Sequence, residues 1–144
     1  MIAKSDWQHL IPHRNAMALL DTVVAFDDTT IHATAISHRD ARNPLRSDGM
    51  LRSVNLCEYG AQAMAIHGGL LAQRDGAIAA PGFLVSLRAI ELHVARIDDL
   101  PHGLHVFATQ LHGDSTGWQY DFRIEHDGAI IATGRAAVMM QPQA

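Results

Sequence analysis

Between residues 53 and 73 the chain carries Val54, Leu56, Cys57, Tyr59, Ala61, Ala63, Met64, Ala65, Ile66, Leu70 and Leu71, which surround a helical axis instead of forming a stripe. A surface helix has an apolar stripe and a polar back, whereas a helix apolar all round is buried all round. Gly60, Ala61, Ala63, Ala65 and Gly68 keep this one thin enough for a sheet to approach closely. Close packing offsets the roughly 1 kcal/mol of helix propensity lost per glycine. Whatever else the chain builds must therefore wrap a central helix.

The wrapping is β structure. Residues 85–96, 104–112 and 118–126 alternate, with Trp118, Tyr120, Phe122 and Ile124 facing one way and Gln119, Asp121, Arg123 and Glu125 the other. Such alternation predicts half-buried antiparallel strands. His126-Asp127-Gly128 supplies a tight turn into a last strand over 129–140. Within 85–96 the apolar phase slips between Leu87 and Ile90, predicting a bulge near Arg88. Ahead of the helix, residues 7–14 predict a short helix or turn. Residues 18–26 and 30–37 predict a hairpin around Asp27-Asp28, and 38–52, broken by Pro44 and Gly49, a long loop. Loops of that length in compact domains tend to be functional. The expected class is α+β, with one domain over residues 1–144.

Composition narrows the function. At 144 residues and 48% apolar, the chain can bury roughly two thirds of its unfolded surface without a staple. Eleven Lys+Arg against 15 Asp+Glu, with no basic stripe, argue against a nucleic-acid partner. A single cysteine, Cys57, cannot build an internal disulfide framework and suits a reducing compartment, so a cytoplasmic location is expected. The opening residues lack the basic-then-apolar run of a signal peptide, and no stretch has the apolar length of a membrane span.

Four polar side chains interrupt the central helix: Asn55, Glu58, Gln62 and His67. At about 100° per residue the first three share one face and His67 points elsewhere. A carboxylate in a helix built for burial is costly unless it is paired, protonated or set in a cleft, and the last of these is the setting of acid–base chemistry. The plain alternative is that Glu58 sits near a helix end, bonded to Gln62 and water. Asn55 and Gln62 are read as groups that orient such a carboxylate or contact its substrate, and His67 as a satisfied core histidine. None of the 10 histidines falls in His-x-x-x-His spacing with an acid on one helix, so no metal is expected. Nucleophile elbows and nucleotide-binding loops are absent too, and Cys57 is read as packing. No cofactor is expected.

Leu10-Ile11-Pro12-His13-Arg14, followed by Met17-Ala18-Leu19-Leu20-Asp21, resembles the opening of the β-hydroxyacyl-ACP dehydratases. Glu58-Tyr59-Gly60-Ala61-Gln62-Ala63 resembles their helix motif. The chain is most similar to a divergent branch, the 3-hydroxyacyl-ACP dehydratases of bacterial aryl-polyene and related pigment clusters. That resemblance implies a hot-dog fold, a long central helix wrapped by an antiparallel sheet. It also implies a homodimer or heterodimer with sites built across the interface, and a substrate carried by acyl carrier protein. Glu58 would handle the departing β-hydroxyl with Gln62 in support, and Gly82 would precede the strand along the acyl tunnel. The family's catalytic histidine, from a His-Phe-Pro motif ahead of the helix, is missing, because the region reads Arg42-Asn43-Pro44-Leu45-Arg46. Asn43 is carried as a substrate-binding candidate, and His38 and His13 as candidates for the missing catalytic group.

Three functions remain open on these grounds. A dehydratase would use Glu58 as acid or base, with a helix N-terminal amide polarising the thioester carbonyl. A hot-dog thioesterase would use Glu58 to activate water, since one fold hosts both chemistries. A non-catalytic subunit would pair with an active dehydratase. Acyl carrier protein is acidic, and Arg39, Arg42, Arg46 and Arg52 form the one concentrated basic stretch, readable equally as a solvated loop.

Overall fold

The computed structural model describes residues 1–77 and 82–140. Among these residues one antiparallel sheet of six strands runs in the order β1-β2-β4-β5-β6-β3. The strands are β1 (Val23–Phe26), β2 (Thr30–Ala35), β3 (Gly82–Leu92), β4 (Leu104–Gly113), β5 (Gly117–His126) and β6 (Ala129–Met140). A short helix α1 (Lys4–Trp7) precedes them, and the long helix α2 (Leu56–Arg74) lies in the curve of the sheet. It is entered through a 3-10 turn at Ser53–Asn55 and closed at Asp75, after which Gly76 takes a φ of 72°. A left-handed glycine there is the usual way to end a helix.

The inner faces of β2, β4 and β5 supply Ile31, Ala33, Leu104, Val106, Tyr120, Phe122 and Ile124 to the core, against Leu56, Tyr59, Ala63 and Ile66 of α2. Two glycines set the closeness of that contact. A Cβ on Gly60 would stand 2.7 Å from the Phe122 ring, and one on Gly134 of β6 also 2.7 Å from it. The phenyl ring thus fills a slot between helix and sheet that neither position can share with a methyl group.

Three expectations need correction. Of residues 18–26 only Val23–Phe26 is strand, although Ala18, Leu19 and Leu20 are buried. Their backbone groups are claimed by side chains instead: Lys4 Nζ donates to the Ala18 carbonyl, Leu19 N–H to Gln62 Oε1, and Ser37 Oγ to the Leu19 carbonyl. Strand β2 stops at Ala35, because Ser37–Arg39 turns into a 3-10 helix. Strand β3 begins at Gly82 and ends at Leu92, short of the expected Arg96, and it is exposed on both faces rather than half-buried. It is the sheet edge, beyond the strands that α2 covers.

Other local readings hold. The register of β3 against β6 shifts between Arg88 and Glu91, where Ala89 has φ 53°. Asp127 (φ 51°) and Gly128 (φ 79°) make the β5–β6 turn left-handed at both central residues, as a two-residue hairpin demands.

Candidate active site

Glu58 lies in the first turn of α2, where the helix dipole favours an anion. Its side chain keeps 35% of its exposure, so it sits at the rim of the buried helix and is not engulfed by it. His13 Nε2 stands 3.2 Å from Glu58 Oε1. Gln62, one turn along the helix, reaches the same oxygen at 3.5 Å, the outer limit of a hydrogen bond.

The segment bearing His13 is fixed by the helix itself. Gln62 Nε2 donates to the Met17 carbonyl at 2.7 Å while its Oε1 accepts from Leu19 N–H at 2.9 Å. One buried amide therefore staples residues 17–19 to α2 and holds the Ile11–Pro12–His13 bend over Glu58. Arg14 adds a second brace, donating to the Ile11 and His13 carbonyls.

His13 Nδ1 is buried with no partner. An orphaned acceptor is cheaper inside a protein than an orphaned N–H. Nε2, the nitrogen that meets Glu58, is therefore the one that donates to the carboxylate. With Oε1 engaged by His13 and Gln62, Oε2 has no hydrogen-bond partner among the described residues. A carboxylate held by one oxygen and free at the other is arranged to exchange a proton with a ligand.

A second buried polar group adjoins this one. Tyr59 Oη lies 2.8 Å from Ser37 Oγ and accepts from Asn43 Nδ2 at 3.2 Å. Asn43 also donates to the Ser37 carbonyl, and its Oδ1 accepts from Leu45 N–H. Burial pushes the Tyr59 hydroxyl up, so it stays protonated. This knot ties the 37–45 loop to α2, and through the Ser37–Leu19–Gln62 bonds it is continuous with the group around Glu58.

The structure thus brings His13, Glu58 and Gln62 together. Asn43 is linked to them only indirectly, through Tyr59 and Ser37, and is itself nearly fully buried. Asn55 bonds back to the Arg52 carbonyl at the head of the helix. His38 is wholly buried, with Nε2 at 3.2 Å from the Leu100 carbonyl and Nδ1 unpartnered, and burial lowers its pKa. That carbonyl lies on the 93–103 connector, and among the described residues no hydrogen bond joins His38 to Glu58. Gly82 opens β3 opposite Met140. The sequence reading missed Tyr59 and Ser37. A tyrosine in an apolar helix looks like packing, and only its hydroxyl, which must be satisfied when buried, hinted at more.

The arginines of the 39–52 stretch are largely occupied. Arg39 donates to the Pro101 carbonyl and Arg46 to the Gly49 carbonyl, while Arg42 pairs with Asp40 and Arg52 with Asp48.

None of the curated proteins is significantly similar to the chain. Among solved structures, the dehydratase heterocomplex ApeI:P from Xenorhabdus doucetiae matches at a TM-score of 0.84 and 23% identity, over 94% of this chain and 91% of that one. A hypothetical thioesterase with coenzyme A from Streptococcus pneumoniae matches at 0.64 and 15% identity, over 98% of each chain. A thioesterase from Haemophilus influenzae matches at 0.61 and 12% identity, over 98% of this chain and 92% of that one. These neighbours share the hot-dog architecture, an antiparallel sheet around one long helix. The family of ApeP-like proteins, described as ApeP dehydratase, matches residues 5–144, and the chain belongs to it.

Proposed function

We propose that this chain is the acid-bearing half of a dehydratase that removes water from 3-hydroxyacyl thioesters held on an acyl carrier protein. Its setting would be a cytoplasmic pathway that builds a polyene or fatty-acid-like chain. The observation that carries this reading is Glu58, which is held through one oxygen by His13 and Gln62 and is free at the other, in a chain of a dehydratase family.

Dehydration breaks a C–H bond next to the thioester carbonyl and the C–O bond of the β-hydroxyl, and forms the C=C bond and water. In this reading Glu58 starts as the acid, gives the proton on its free oxygen to the departing hydroxyl, and is left as the anion that the helix dipole and His13 stabilise. The first-turn amides of α2 favour negative charge on the thioester carbonyl as the Cα proton leaves. Two groups with separated proton affinities normally divide such work. In this chain the region of the family's histidine reads Arg42-Asn43-Pro44-Leu45-Arg46 and holds no histidine, and the Asn43 amide is spent on Tyr59 and Ser37.

A second hot-dog subunit would supply the base that takes the Cα proton. Edge strand β3 offers it a surface, with Phe83, Leu84, Val85 and Leu87 between 39% and 51% exposed, an apolar strand edge of the kind that recruits another strand. The Xenorhabdus neighbour is itself part of a heterocomplex. A homodimer using the His13–Glu58 pair of each chain is the alternative assembly.

The test is to incubate the purified chain, alone and with the second subunit of the Xenorhabdus dehydratase heterocomplex, with a 3-hydroxyacyl thioester on acyl carrier protein, and to follow products by mass spectrometry. Loss of 18 mass units (one water) only in the mixture, abolished by Glu58→Gln in this chain, is the expected result. Turnover unchanged by Glu58→Gln would make the chain a non-catalytic subunit, and release of free acid would make it a thioesterase.

A further inference from the structure

On the outer face of the sheet, opposite α2, two histidines meet across β2 and β4. His32 Nε2 lies 2.9 Å from His105 Nδ1, with the ring centroids 5.1 Å apart. Strand register sets the pair diagonally: His32 is level with Phe107, and His105 with Thr34 on one side and Glu125 on the other.

The His32 ring is not free to wander. It stacks on Phe107 at 4.2 Å and 17°, and the far side of Phe107 carries the Arg123 guanidinium, also 4.2 Å from the ring centre. Arg123 is held in turn by Glu125 at 2.6 Å. A stacked imidazole is thus presented edge-on to a second one, at a spacing set by two paired strands.

We propose that His32 and His105 form a cis-chelating site for a divalent late-transition cation of tetragonal preference, Cu(II) or Ni(II). Metal–nitrogen bonds of about 2.0–2.1 Å at a right angle put the two nitrogens about 2.9 Å apart, whereas a tetrahedral angle needs about 3.3 Å. The 2.9 Å spacing, which without metal is that of an N–H···N hydrogen bond between the rings, already meets the right-angle bite. His105 is exposed and His32 half-buried, and burial together with the neighbouring His105 lowers the His32 pKa. His32 is therefore neutral near pH 7, the form a metal requires.

In the metal-bound state each ring offers the nitrogen that faces the other. His32 moves its hydrogen to Nδ1 and His105 holds its own on Nε2, so both facing lone pairs turn to the metal. Water completes the shell, with the Glu125 carboxylate, level with His105, as the nearest acid able to join it. The groups facing the pair are thus Glu125, which favours a cation, and Arg123, which opposes one and is neutralised by Glu125. The site ties β2 to β4 only in the folded state, so the ion should stabilise the fold.

The deciding experiment titrates tag-free protein with NiCl₂ by calorimetry, and with CuCl₂ by electron paramagnetic resonance to count nitrogen ligands. Wild type is compared with His32→Asn, His105→Asn and His102→Asn. His102 belongs to a separate cluster, with Nδ1 2.8 Å from Asp127 beside His126, and serves as the control. The expected result is one site with two nitrogen ligands, weakened about tenfold or more by either of the first two changes and untouched by the third. The thermal midpoint should rise with NiCl₂ in wild type and in His102→Asn, and not in His32→Asn or His105→Asn. No binding at millimolar metal, or binding lost with His102→Asn and kept in the other two, would overturn the assignment. All three positions are outside the core, and circular dichroism confirms that each variant is folded.

Discussion

Helix α2 carries a polar group near each end, and the two are treated in opposite ways. At the far end His67 is wholly buried and both ring nitrogens are bonded, Nε2 to the Asp27 carbonyl at 2.8 Å and Nδ1 to Tyr120 Oη at 2.8 Å. A carbonyl only accepts, so Nε2 carries the hydrogen and Nδ1 accepts from the tyrosine. Burial lowers the His67 pKa and raises that of Tyr120, and both stay neutral. At the near end Glu58 is half-open, bonded at one oxygen, and backed by a histidine with an orphaned nitrogen. A polar group whose every valence is met inside the protein holds the fold together. One left with an unmet valence facing solvent has capacity left for a ligand.

The largest effect expected from that contrast is at the open end. Glu58→Gln keeps the shape and the bond from Gln62 but removes the exchangeable proton. It should lower dehydration about 10²- to 10⁴-fold with little change in thermal midpoint, read by product formation and scanning calorimetry on one preparation. Loss of stability equal to that of a core change would move Glu58 to the structural side of the comparison.

Gly60→Ala, between the two ends, pushes a methyl group into the Phe122 ring. It should cost about 1–3 kcal/mol by overpacking, measured by urea unfolding. A neutral result would mean that Phe122 has room to move.

At the closed end Tyr120→Phe strips His67 Nδ1 of its donor. It should cost about 1–2 kcal/mol with turnover retained.

The smallest effect is in pH. His67 and His38 both have folded pKa values below the unfolded 6.5. The unfolded chain therefore binds more protons, and stability rises with pH in that range. Their contribution is complete above about pH 6.5 and is lost as pH falls from there through the folded values. Denaturant midpoints at pH 7.5 and 5.5 should show the drop, and His67→Gln should shrink it. An unchanged slope would mean that His67 titrates normally.

Much of the fold was legible from pattern alone. The central helix followed from residues apolar on every side, and β5 and β6 from alternation around His126-Asp127-Gly128. Strand β3 was misjudged because alternation reports which residues could face a core, not whether a core lies there. The edge position that exposes Phe83 and Leu87 is a property of topology. Residues 18–20 read as strand because they are apolar, yet the backbone of Ala18 and Leu19 is bonded by the side chains of Gln62, Lys4 and Ser37, partners up to 43 residues away in sequence.

The site was legible in part for the same reason. Glu58 and Gln62 share a helix, where spacing dictates direction, and Gln62 does reach Glu58. The approach of His13 depends on a bend 45 residues earlier, and the diversion of Asn43 into the Tyr59 knot depends on a loop fold. Neither distance is encoded in periodicity.

The most direct test sets the two ends of α2 against each other in one assay. Glu58→Gln and Tyr120→Phe are prepared with the partner subunit, and turnover of a 3-hydroxyacyl thioester and thermal midpoint are measured for both. The account predicts a crossed result: Glu58→Gln loses turnover and keeps its midpoint, whereas Tyr120→Phe loses midpoint and keeps turnover. Parallel losses in both, or turnover surviving Glu58→Gln, would contradict it.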